Sequence, residues 1–258
     1  MVDAAGCAAE PTNDVSLLRQ LFDAAAGDLH SLAALHDREA GEPLLSFLRA
    51  QGFPGNLGLA TRSEMAREGA ALLERALSEI GEPVAPPVLD ELAADYAAIY
   101  LNHVYRASPC ESVWVDSDGL TLQEATFQVR SWYKRFGLAV ENWRKRADDH
   151  VVAQLHFLAI LFSSTDGVQV AEIARFMDEH LLRWLPRFAS RVASRCATRF
   201  YAGAALLTAG YCEELRDLLA EILGQARPTA EEIERRMKST AEVKPIPLAF
   251  VPGKAPSW

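Results

Sequence analysis

The chain has 258 residues, half of them hydrophobic, which is enough for one large domain or two small ones with a sizeable core. Its 26 basic and 35 acidic side chains leave a formal charge of −9, which argues against a general nucleic-acid binder and suits a cationic partner. Four scattered cysteines (Cys7, Cys110, Cys196, Cys212) and six dispersed histidines show no CxxC pair and no zinc spacing, so the expectation is a reduced cytoplasmic protein with neither metal nor cofactor. The start lacks the basic region and apolar run of a signal peptide, and no stretch reaches the ~18 apolar residues of a membrane span.

Ala, Leu, Arg and Glu dominate, and glycine and proline are sparse between Leu59 and Leu223, which is helical composition. Residues 1–13 are small and polar and are expected to be disordered. Asp14 caps a helix through Ala26 with Leu17, Leu18, Leu21 and Phe22 at helical spacing, and Leu29–Leu35 and Glu42–Gln51 follow as short helices. Thr61-Arg62-Ser63-Glu64 opens a helix to Ile80, and Gly81 to Pro87 is the best internal break. Val88–Leu101 is helical, the loop from His103 to Gly119 carries two turn signals, and Thr121–Phe136 ends at Gly137. Asn142–Lys145 reads as a short amphipathic turn of helix. Val168–Trp184 forms a helix, Pro186 marks a restart, a long helix runs to Ala209, and another spans Glu213–Leu223. Thr229–Lys238 is short and charged, and Val243–Trp258, with four prolines, is extended. No period-2 strand occurs, so the class is all-α: a helical domain over residues 14–227, then a short helix and a Pro-rich tail over 228–258.

The organising stretch is Asp148–Phe162. Two acids and a histidine precede an almost unbroken apolar run, the pattern of an N-capped, buried helix. Asp148, Asp149 and His150 should then lie at the mouth of the core, as a plain cap or as a polar recognition point beside an apolar groove. The loop Pro109 to Asp116 mixes Cys110, Glu111, Ser112, Trp114 and Asp116; a thiol enzyme using Cys110 or His150 is one reading, although no histidine is placed by sequence to activate the thiol. Arg183, Arg187, Arg191, Arg195 and Arg199 recur every four residues, as a solvated face or as a docking stripe for an acidic surface or a phosphate-bearing ligand. Gly203 and Gly210 are isolated and form no nucleotide loop.

Several stretches in order carry a family likeness: Asp95-Tyr96-x-x-Ile99-Tyr100; Pro109-x-Glu111-Ser112-Val113-Trp114; Val129-x-x-x-Tyr133-x-x-x-Gly137-Leu138; Asp149-His150-Val151-x-x-x-Leu155-x-Phe157; and His180-x-x-x-Trp184-x-Pro186-x-Phe188, with Phe200-Tyr201 beyond. Together, over Asp14 to Leu223, they resemble the TorD/DmsD family of molybdoenzyme maturation chaperones, to which NarJ is related. The chain departs from that pattern at Asp148, where a proline is common, at Cys110, and at Gln154, where an acid is common.

The resemblance implies an all-helical, non-enzymatic protein, monomeric or a domain-swapped dimer. It implies binding to the apo catalytic subunit of a molybdenum enzyme of the dimethyl sulfoxide reductase type, and in many members to its twin-arginine signal peptide. The chaperone holds that subunit in the cytoplasm until molybdopterin is inserted and prevents premature export. The residues expected to take part are Asp149 and His150, which orient the leader; Glu111, Ser112 and Asp116 in the loop; and Tyr96, Trp114 and Tyr133, which line or support the site. Charge-assisted pairs from Asp149, Glu111 and Asp116 would meet arginines, while an apolar groove holds the hydrophobic segment. The apolar Leu248–Val251 is expected to occupy that groove as a stand-in for a client. A helical adaptor for another basic peptide is the remaining alternative.

Overall fold

The structure, a computed structural model, describes residues 12–164 and 170–241. The expectations for residues 1–11 and for the tail from Val243, with its Leu248–Val251 segment, lie outside the described residues. Residues up to Arg227 form one compact unit and those from Pro228 a second. In the second, α11 (Ala230–Ala241) opens on a reciprocal cap: the Glu232 N–H donates to Thr229 Oγ1 at 3.3 Å, and the Thr229 N–H donates to the Glu232 carboxylate at 2.8 Å.

Among its described residues, the regular elements of the first unit are all helices. In order it contains α1 (Thr12–Asp37), α2 (Glu42–Ala50), α3 (Glu64–Glu79), α4 (Pro86–Tyr96) running into a wide turn at Ala97–Leu101, and α5 (Ser112–Val115). Then come α6 (Glu124–Arg135), α7 (Val151–Ser163), α8 (Val170–Glu179), a tight turn at Leu181–Arg183, α9 (Leu185–Ala193) and α10 (Arg199–Leu223). The break at Gly81–Pro87 lies inside this unit, with Val84 buried.

The long helix α10 is the central member and meets α3, α9, α8, α1 and α4, while α7 packs chiefly on α1. The seam between α3 and α10 is set by glycine. A Cβ on Gly69 would lie 2.2 Å from the Leu207 nitrogen, and one on Gly210 would lie 2.5 Å from the Ala66 nitrogen. Backbone therefore touches backbone, and Gly203 and Gly210, which mean nothing for nucleotides, are packing residues. Gly224, with φ of 62°, ends α10 in the left-handed conformation that closes a helix.

Several helix ends differ from the periodicity reading. Leu29–Leu35 is not a separate helix, because α1 continues through Gly27 to Asp37. Glu213–Leu223 likewise belongs to α10. The helix expected from Pro186 to Ala209 is instead broken at residues 194–198, where the buried Asp95 captures the start of α10. Its carboxylate accepts from Ala197 N–H (3.0 Å), Thr198 N–H (2.7 Å), the Thr198 hydroxyl (2.6 Å) and the Tyr105 hydroxyl (2.8 Å). Local periodicity cannot see a cap delivered from another helix. Asn142–Lys145 forms turns rather than helix.

Candidate functional site

Two loops run side by side at the start of α7. Residues Pro109–Glu111 and Asp149–Val151 form an isolated antiparallel bridge between Cys110 and His150. Val151 N–H donates to Pro109 O at 2.8 Å, and Glu111 N–H donates to Asp149 O at 3.1 Å. The two sequence motifs that flank this bridge therefore meet in space.

Glu111 is the hub, fully buried at the base of the loop. Its carboxylate accepts from Gln154 Nε2 at 2.6 Å and lies 3.0 Å from His180 Nδ1, while Gln154 Oε1 in turn accepts from Trp184 Nε1 at 3.3 Å. A carboxylate withdrawn from water needs such partners. The amide at position 154 supplies a donor where an acid would repel Glu111. The departure at Asp148 is also satisfied: Arg130 on α6 donates to Asp148 Oδ2 from Nε (3.1 Å) and Nη2 (2.7 Å), and Tyr133 OH donates to Asp148 O at 2.8 Å. Asp148 thus fastens the loop to α6, and this carboxylate raises the Arg130 pKa.

Asp149 Oδ2 accepts from Ser112 N–H at 2.8 Å and so caps α5 from across the bridge. Among the described residues, its Oδ1 and the Ser112 hydroxyl oxygen have no hydrogen-bond partner although both are buried. His150 is the N-cap of α7, where its Nδ1 accepts from Val152 N–H at 3.2 Å. Desolvation is the main cause that pulls its pKa down to about 3. A neutral imidazole that accepts from a backbone amide is the consistent state.

The sequence reading is corrected on one point: Asp148 and Asp149, expected at the solvent mouth of the core, are 3% and 0% exposed, because the 107–116 loop covers them. Of the three polar residues expected at the helix start, His150 is the one that caps α7. The thiol-enzyme reading also loses its chemistry: Cys110 is buried, and burial together with the nearby Asp149 carboxylate drives its pKa far up, away from thiolate.

The expected site residues fall into two groups. Glu111, Ser112, Asp149, His150 and Tyr133 surround the bridge. Tyr96 stands apart, half-buried, its ring 4.7 Å from that of Tyr100 and its hydroxyl donating to Asp37 O at 3.2 Å. Trp114 is also half-buried: its indole N–H donates to Ser108 O at 2.8 Å, and its ring is covered by the guanidinium groups of Arg191 (4.6 Å) and Arg187 (5.8 Å). Asp116 lies at the start of the turn leading to α6, where burial raises its pKa despite a hydrogen bond from the Ala125 backbone.

Periodicity reasoning missed the surface beyond Asp116. Leu120 (58% exposed), Leu122 (44%) and Phe127 (48%) stand in solvent on the turn and first helical turn of α6. Leu122 holds φ of 60°, a left-handed conformation that costs a leucine about 1–2 kcal/mol. Exposed Trp143 shares with Phe127 the guanidinium of Arg130, which lies 5.3 Å and 5.5 Å from the two rings. The only sequence signal was the pair of leucines in a stretch otherwise made of turn residues and acids.

Comparisons with known proteins agree with this architecture. The family model described as nitrate reductase delta subunit matches residues 62–190, half the chain and most of the elements around the bridge. The chain is similar to the chaperone protein TorD of Vibrio cholerae, 30% identical over 175 residues that span 64% of this chain and 78% of the relative. It is also similar to the chaperone protein TorD of Actinobacillus pleuropneumoniae, 28% identical over 187 residues that span 72% and 89%. Helical architecture, ordered motifs and these matches converge: the chain belongs to the nitrate reductase delta subunit family, as a TorD-like molybdoenzyme maturation chaperone and not an enzyme.

Proposed function

We propose that this chaperone acts in the cytoplasm on the apo catalytic subunit of a dimethyl sulfoxide reductase-type molybdoenzyme, engages its twin-arginine leader, and holds it back from export until molybdopterin is inserted. The observation that carries the leader reading is the exposed apolar surface of Leu120, Leu122 and Phe127 beside Asp116, Asp118 and Glu124. A twin-arginine leader is cationic at one end and apolar in the middle, so the acids match its arginines and the leucines and Phe127 match its hydrophobic segment.

Magnitudes decide which part dominates. Exposed ion pairs are worth about 0.2–1 kcal/mol each, whereas fully burying a Leu or Phe side chain is worth about 1.5–3 kcal/mol. Apolar burial supplies the affinity and the acids set the direction. Asp149, Glu111, Ser112, His150 and Tyr133 then act as positioning residues that fix the 107–116 loop, with Asp116 at its outer end, while Trp114 and Tyr96 brace the neighbouring helices.

The test is calorimetric titration with a synthetic twin-arginine leader. The double variant Leu122→Ser, Phe127→Ser should weaken binding more than tenfold while lowering the melting temperature only modestly, since the two residues are 44% and 48% exposed and Phe127 gives up its contact with Arg130. Asp149→Ala should weaken binding and also loosen the loop. Unchanged affinity in the double variant removes this surface from the leader site. Pull-down from the native cytoplasm separately asks whether a molybdoenzyme precursor is the client.

A further inference from the structure

The five-arginine series divides into two kinds in space. The end members pair with carboxylates: Arg183 Nη1 lies 3.9 Å from Glu111 Oε1, and Arg199 Nη1 lies 2.7 Å from Glu79 Oε2. The three central members, Arg187, Arg191 and Arg195, are exposed and have no carboxylate partner among the described residues. Each is instead held by backbone. Arg187 Nη2 donates to Trp114 O at 3.0 Å, Arg191 Nη1 to Arg106 O at 3.0 Å, and Arg195 Nη1 to Tyr105 O at 2.7 Å. Trp114, itself pinned to Ser108 O, lies beneath two of them.

These contacts use one nitrogen of each fork and orient the rest. A solvated arginine gains little from such anchoring, and three of them side by side repel one another. In a chain with net charge −9, a row of three cations without acids is a local inversion of the protein's field. Small residues, Ser190 and Ser194, lie between the guanidinium groups and leave an open groove there.

We propose that this face of α9 docks an extended acidic segment of a protein partner. Spacing favours that occupant over a compact phosphate group. Arg187 and Arg191, four apart on α9, are offset by about 6 Å along the helix axis, and Arg195 follows in the turn after α9, so the three cations form a row and do not converge on a point. Alternate side chains of an extended strand recur every ~6.6–6.8 Å, which lets carboxylates on every second residue meet successive arginines. The left-handed His103 (φ 56°) and Arg106 (φ 50°) shape the loop whose carbonyls hold two of the forks. This surface is distinct from the Leu120–Phe127 surface, so either proposal can fail alone.

The test uses the full chain and a short fluorescein-labelled peptide of alternating Glu and Ser, read by anisotropy, with an alternating Lys and Ser peptide and inorganic tripolyphosphate as comparators. Substituting all three arginines, Arg187→Gln, Arg191→Gln and Arg195→Gln, should weaken the acidic peptide about tenfold or more and flatten the salt dependence of its binding. Should the triple variant fold poorly, the three single glutamine variants each weaken binding by about twofold to fivefold. Equal binding of the acidic peptide by wild type and variants, or binding of the lysine peptide as strongly, overturns the proposal. So does tripolyphosphate binding more tightly than the peptide and displacing it, which would make the face a phosphate site.

Discussion

The carboxylate of Asp95 offers the sharpest check on how this fold is held. Four donors converge on it: Ala197 N–H and Tyr105 OH on one oxygen, Thr198 N–H and the Thr198 hydroxyl on the other. Asp95→Ala removes all four acceptor contacts at a site 1% exposed. The two hydroxyls can turn to other acceptors or water, but the two backbone N–H groups lose their partner. At about 1–3 kcal/mol for each of these two part-buried donors left unsatisfied, the expected loss is about 2–6 kcal/mol, a large part of the 5–15 kcal/mol of a typical domain.

Asp95→Asn separates charge from donor matching. Whichever way the amide turns, its NH2 faces one backbone N–H and one hydroxyl. The hydroxyl can reverse and accept, so one backbone donor is lost, for about 1–3 kcal/mol. Urea unfolding measures both variants. With a slope of about 3 kcal/mol/M, Asp95→Ala should move the midpoint down by about 0.7–2 M and Asp95→Asn by about half as much. An asparagine variant as damaged as the alanine variant would refute the donor count and make the charge itself decisive.

Two other outcomes follow from packing and protonation. Gly69→Ala should lower the melting temperature by about 4–10 °C, because its methyl meets Leu207 backbone and forces α3 from α10, whereas Gly27→Ala, exposed within α1 and with nothing within 4 Å of the new Cβ, should raise it slightly; equal shifts by differential scanning calorimetry would refute the close-approach account. His36 is fully buried, and desolvation lowers its pKa from 6.5 to about 4. Its folded form is neutral and the unfolded chain binds the extra proton, so this contribution, about 3 kcal/mol, is fully present above pH 6.5 and is lost as pH falls toward 4. His36→Gln, which keeps one donor for Thr208 and one acceptor for Tyr100, should lose correspondingly less stability on acidification; parallel pH profiles would contradict this.

The same histidine shows how a buried network assigns a tautomer. Thr208 Oγ1 donates to Ala204 O at 2.7 Å, so at 2.9 Å from His36 Nε2 it accepts the ring proton. Nδ1 is then the acceptor for Tyr100 OH, 2.5 Å away. Tyr100 belongs to the Asp95-Tyr96-x-x-Ile99-Tyr100 stretch, and the conformation of that stretch joins α1, α4 and α10. Its ordered residues were legible as a signature, but their partners at positions 36, 198 and 208 lie far away in sequence.

What the sequence determined by itself was the class, the family and the major helices. Alanine and leucine at 3.6-residue spacing, with Ser63 and Gly224 at helix ends, state helix locally, and ordered motifs survive in any linear reading. It also brought Glu111 and Asp149 forward as polar residues beside an apolar run. Only the tertiary structure decided what they do. Burial depends on which loop covers which helix, and the 107–116 loop turned an expected solvent mouth into a sealed hydrogen-bonded joint. The break before α10 needed Asp95, about a hundred residues away, and the fusion of two expected helices into α10 needed α3, whose backbone leaves room only for glycine. The division of one arginine series into paired ends and an acid-free centre was decided in the same way: residue spacing sets the face of a helix, and neighbouring elements set what meets it.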